Sequence, residues 1–125
     1  MAKILVIDDE PVYLSLLTSV LKRDGHEVTT AETGENAVEL GRTTCPDVLL
    51  ADWAMKSGMS GLDAARALRK ANSRLGIIIM TGYSAADMGS EASDLEGLAV
   101  LRKPFDGDTV RRLVREAADL AGGPH

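Results

Sequence analysis

The stretch KILVIDDEP, residues 3–11, decides the fold. After Lys3 an apolar, largely β-branched run passes without alternation into two carboxylates, Asp8 and Asp9, and then into a proline. A strand apolar on both faces belongs inside a parallel sheet, where helices cover each side. Pro11 stands where a helix begins, because its fixed φ suits the first helical position and its missing N–H is not needed there. Strand, polar turn and helix make half of a βαβ unit.

The same pattern repeats outward along the chain. DVLLAD (47–52) ends on Asp52, IIIMT (77–81) ends on Thr81, and AVLRKPF (99–105) reaches Lys103 just before Pro104. EVTTA (27–31) is short, β-branched and the most polar of these runs, which places it at an edge. Between them lie helical patterns. The first carries Val12, Leu16, Leu17, Val20 and Leu21 at helical spacing until Asp24-Gly25 stops it. Further helices are expected over 34–43, 62–71, about 85–95 and 106–120, the last capped by Asp106 or Asp108. Five βα repeats imply an α/β fold, a doubly wound five-stranded parallel sheet with helices on both faces. Right-handed crossovers allow the flavodoxin-like strand order 2-1-3-4-5, with the switch point between the first and third strands. Asp9 and Asp52 would then face each other in the crevice outside the strand ends.

Composition bounds the partners. A chain of 125 residues fits a single domain, expected to fill residues 3–120 with no output domain attached. Its net charge of −5, with basic residues grouped only at Arg111, Arg112 and Arg115, disfavours nucleic-acid binding. The apolar stretches are too short to span a bilayer, and the first residues lack a signal peptide's pattern, so no membrane association is expected. One cysteine, Cys45, rules out an internal disulfide and fits a reducing, cytoplasmic location. It is expected as a half-buried filler before Pro46, His26 as a solvated turn residue, and His125 as a frayed terminus.

The strand-end residues carry the chemistry. Asp8, Asp9 and Asp52 would bring up to three negative charges together, and like charges at close range need a cation. Hard oxygen ligands in this number suit Mg²⁺. Lys103 supplies a point charge for a phosphoryl oxygen and the Thr81 hydroxyl a donor. Such parts serve in-line phosphoryl transfer, in which positioning and charge stabilisation do most of the catalysis. A carboxylate can itself be the nucleophile, and Asp52, ending a central strand between the acid pair and Lys103, is the candidate. A blander account has Asp8 and Asp9 capping the helix at Pro11, Asp52 and Thr81 in turns, and Lys103 solvated. Each holds singly; their coincidence at four strand ends argues against it.

In this order the motifs ILVIDDEP, DVLLADWAM, GMSGLD, IIIMTGY and LRKPF resemble the receiver domain of two-component response regulators, over nearly the whole chain. The resemblance is to the stand-alone, chemotaxis-regulator-like kind. It implies that Asp52 accepts a phosphoryl group from a histidine kinase or a histidine phosphotransfer protein. It also implies that Asp9 binds Mg²⁺ directly, Asp8 mainly through water, and that the Ala54 carbonyl completes the protein ligands. Thr81 and Lys103 would contact the phosphoryl group, the Lys103–Pro104 peptide would be cis, and an unidentified protein target would read the change. Such a chain is no enzyme in the ordinary sense, since it catalyses only its own phosphotransfer and dephosphorylation.

Departures from the family pattern concern the switch. Val100 stands three positions before the lysine, where most receivers carry an aromatic residue, and Tyr83 is a candidate substitute. The loop 55–61 lacks the usual proline and holds two glycines, so it is expected to be less restricted. Ala54 and Tyr83 are expected to govern water access, and the helix over about 85–95 is expected to be weak. Phe105 is read as an anchor, and Trp53 as a neighbour of the site. An interaction module of the same fold without productive phosphorylation is the main alternative. A phosphohydrolase is disfavoured, because Ala54 stands where its general acid would be.

Overall fold

A computed structural model gives the architecture and describes residues 2–53, 55, 58–82, 95 and 97–121. The strands are β1 (Lys3–Ile7), β2 (Glu27–Ala31), β3 (Val48–Asp52), β4 (Gly76–Thr81) and β5 (Ala99–Arg102). The helices among the described residues are α1 (Pro11–Arg23), α2 (Gly34–Thr44), α3 (Gly61–Ala71) and α4 (Gly107–Ala121). All pairings are parallel and the order is β2-β1-β3-β4-β5, the expected topology.

Strand alternation sorts the core into two layers. Leu5, Ile7, Leu49, Ala51, Ile77 and Ile79 face α2 and α3, while Ile4, Val6, Val48, Leu50, Ile78 and Met80 face α1 and α4. This is why β1, β3 and β4 read as unbroken apolar runs: each consecutive residue meets a helix layer on one side or the other. Fully burying each large side chain contributes about 1.5–3 kcal/mol. The polar β2 lies at an edge, as expected.

Local signals set the helix ends. Thr33 accepts the Asn36 N–H at the start of α2, and Ser60 accepts the Asp63 N–H at the start of α3. Asp106, one of the two expected caps, accepts the Thr109 N–H at 2.7 Å, which also holds its carboxyl below the usual range. Asp24 caps the C-terminus of α1 and is followed by Gly25 at φ 87°.

Three expectations are corrected. The apolar face of α1 is narrower than its spacing implied, for Val12 is 67% and Leu16 44% exposed. At about 100° per residue these lie about 140° and 100° around the helix from the buried Leu17, outside the arc that meets the sheet. Cys45 is exposed rather than a filler, standing at the C-terminus of α2 in the left-handed region at φ 50°. The His26 side chain is only 8% exposed, its Nδ1 accepting the Ala2 N–H at 3.0 Å and its Nε2 lying 3.6 Å from Asp24. The weak helix expected over about 85–95 lies outside the described residues except for the buried Leu95, and His125 lies outside them too.

Candidate functional site

Parallel strands in this order bring their carboxyl ends to one edge, and the expected polar residues stand there. Asp8 follows β1 and is 0% exposed. Its N–H donates to the Ala31 carbonyl of β2 at 3.1 Å, its Oδ1 accepts the Glu10 N–H at 2.9 Å, and its Oδ2 accepts from Lys103 Nζ at 2.8 Å. Asp52 closes β3 opposite Met80 and is likewise buried, with Oδ1 3.4 Å from the same ammonium. Thr81 ends β4, buried, and its carbonyl accepts the Lys103 N–H at 2.7 Å, which ties the lysine backbone to that strand. The Lys103–Pro104 peptide is cis, as the resemblance implied.

Lys103 thus bridges Asp8 and Asp52. Burial by itself lowers a lysine pKa, but the hydrogen bond that the ammonium donates to Asp8 and the charges of Asp52 and Asp8 outweigh it and raise the value. The ammonium is therefore firmly charged. Removing one partner from such a buried pair leaves an uncompensated charge, which costs about 3–5 kcal/mol.

The acids exceed the cation. Asp8, Asp9 and Glu10 each bring a ligand oxygen within 4.8 Å of the others, and Asp9 is half-buried. Glu10, the N-terminal cap position of α1, joins this group although it was not foreseen; its only signal in the sequence is adjacency to the acid pair. A carboxylate set with one ammonium fits a hard divalent cation of the Mg²⁺ class.

Tyr13 also escaped the sequence reading. Its ring centroid lies 4.0 Å from Lys103 Nζ and 5.7 Å from the Phe105 ring, tilted by 46°. Helical spacing places Tyr13 one turn before the buried Leu17, hence on the inward side of α1, but not against a lysine 90 residues on. Phe105 anchors the loop after Pro104 as expected, half-buried against the α1/α4 layer.

The described residues of the loop leaving Asp52 contact β4 and α2. Trp53 donates its N–H to the Met80 carbonyl at 2.8 Å and packs with Met55 and Met59 against the α2/α3 layer, beside the site as expected. The Met59 N–H donates to Glu35 Oε2 at 3.2 Å. A Cβ on Gly34 would lie 2.6 Å from the Met59 carbonyl oxygen, and one on Gly58 (φ +75°) 2.8 Å from Glu35 Oε2. A Cβ on Gly61 would collide with the Asp52 carbonyl oxygen. The glycines here permit close approach to α2 and β3, and Gly58 also adopts a left-handed φ. Val100 on β5 is half-buried against the α2/α3 layer. Ala54 and Tyr83 lie outside the described residues. Among those residues, no helix is long and apolar enough to cross a membrane.

Known proteins are similar to this chain in sequence and fold. The sequence profile of the response regulator receiver domain matches residues 4–115. The chain is similar to Sporulation initiation phosphotransferase F of Bacillus subtilis, at 32% identity over 94% of each chain. It is similar to Protein PilH of Pseudomonas aeruginosa at 36% identity, over 98% of this chain and 100% of that one. The structure of chemotaxis protein CheY4 of Vibrio cholerae superposes with a TM-score of 0.86 at 25% identity, covering 94% of this chain and 98% of that chain.

Proposed function

This chain belongs to the response regulator receiver domain family, and on that premise we propose that Asp52 accepts a phosphoryl group from a phosphohistidine donor and that a protein partner reads the result. The observation that carries the proposal is the Lys103 ammonium, held 2.8 Å from Asp8 and 3.4 Å from Asp52 across two strand ends. A relative of nearly the same length named as a phosphotransferase supports the same chemistry.

In the proposed step an Asp52 carboxylate oxygen attacks phosphorus, forming an acyl phosphate as the P–N bond of the donor breaks. The departing imidazole nitrogen keeps the electron pair and takes up a proton from solvent. Asp8 and Asp9 would hold Mg²⁺ together with Asp52 and the Ala54 carbonyl; when bound, the ion offsets negative charge among the carboxylates and phosphoryl oxygens. Lys103 and the Thr81 hydroxyl would meet phosphoryl oxygens, and the buried walls of β3 and β4 restrict water around the acceptor. The donor is a histidine kinase or a histidine phosphotransfer protein, and the partner recognises the altered surface. A cytoplasmic location agrees with these partners.

Mg²⁺-dependent labelling by a small phosphodonor tests this reading. Wild type should take up label, and Asp52→Ala should lose essentially all of it. Label persisting in the variant would refute Asp52 as acceptor, and an unlabelled wild type would favour a constitutive interaction module.

A further inference from the structure

Lys103 must present its ammonium to a phosphoryl oxygen, yet its four-carbon stem is among the most flexible of side chains. Two carboxylates attract it, Asp8 at 2.8 Å and Asp52 at 3.4 Å. The Tyr13 ring also meets it, with its centroid 4.0 Å from Nζ. The electron-rich face of an aromatic ring attracts a cation, more strongly where water is excluded, and the lysine side chain is only 11% exposed. Tyr13 is itself braced. Phe105, two residues beyond the lysine, packs against it with centroids 5.7 Å apart. One short loop therefore supplies both the ammonium and the brace for the ring that holds it, while α1 supplies the ring.

We propose that Tyr13 is a positioning residue for Lys103, its ring holding the ammonium in the orientation that phosphoryl transfer to Asp52 requires. The proposal rests on the reading of Asp52 as acceptor. It assigns the aromatic face, not the phenol hydroxyl, so phenylalanine should serve as well as tyrosine. It also separates two parts of the site: the oxygen ligands of Asp8 and Asp9 do not depend on Tyr13, whereas the placement of Lys103 does.

The experiment compares wild type, Tyr13→Phe and Tyr13→Leu. Tyr13 is half-buried and leucine is a strong helix former, so the leucine variant should fold. With a small phosphodonor and saturating Mg²⁺, Tyr13→Leu should lower the maximal labelling rate about two- to thirtyfold, with the half-saturating donor concentration little changed. Tyr13→Phe should stay within about twofold of wild type. Mg²⁺ affinity, followed through Trp53 fluorescence, should be alike in all three. Without metal or donor, the Lys103 ε-methylene protons should show an upfield ring-current shift in wild type and Tyr13→Phe, and lose it in Tyr13→Leu. Equal labelling rates in the leucine variant, or a lysine resonance that does not move, would overturn the proposal. An unlabelled wild type counts against Asp52 as acceptor instead, and the lysine resonance then decides by itself whether Tyr13 holds Lys103.

Discussion

His26 has one ring nitrogen committed and the other crowded. Nδ1 accepts the Ala2 N–H, so the neutral ring carries its proton on Nε2, which is buried, 3.6 Å from Asp24 Oδ2 and without a hydrogen-bond partner among the described residues. Arg115 lies 3.5 Å from the same carboxylate. Burial holds the His26 pKa below its ordinary value of 6.5, against an opposing pull from Asp24. A second proton would have to sit on Nδ1 and would turn the Ala2 contact into two opposed donors. The folded state therefore binds a proton less readily than the unfolded chain. The stability His26 contributes is complete above 6.5 and declines as pH falls below it, until the lower folded-state value is passed. Urea midpoints at pH 7.5 and pH 5 should show wild type losing more stability than His26→Asn, whose amide oxygen can accept without titrating. Equal losses would mean that His26 does not titrate in this window.

Among the elements, the connection from β3 to α3 ties the acceptor to α2. Glu35 in the first turn of α2 receives the Met59 N–H, and Gly34, Gly58 and Gly61 let the loop lie directly on its neighbours. One hydrogen bond contributes about 0.5–1.5 kcal/mol. Glu35→Ala should therefore loosen the loop and weaken Mg²⁺ binding about two- to tenfold, measured by Trp53 fluorescence, with global stability little changed. Gly58→Ala should act in the same direction and cost about 1–2 kcal/mol of stability, since φ +75° is a left-handed conformation and the new Cβ meets the Glu35 carboxylate. Unaltered metal affinity in both variants would show that the strap does not reach the site.

Across the whole molecule, the sheet concentrates negative charge at one edge, and that arrangement links metal binding to folding. An ion that binds only the assembled strand ends stabilises the fold by about 2.7 kcal/mol at one hundred times its dissociation constant. Saturating Mg²⁺ should raise the unfolding midpoint of wild type, and Asp9→Asn should lose most of that gain while keeping the buried Asp8–Lys103 pair. An equal gain in Asp9→Asn would remove Asp9 from the ligand set. The topology and the strand-end placement of Asp8, Asp52, Thr81 and Lys103 were legible in the order of residues, because period, punctuation and burial on both faces are local properties of the chain. Tyr13 against Lys103, Ala2 on His26, Glu35 on Met59 and the exposure of Val12 and Leu16 were not. These depend on how far a helix is rotated about its axis and on which loop closes over which strand. Residues distant along the chain become neighbours only after the sheet has formed, so packing alone chose those contacts.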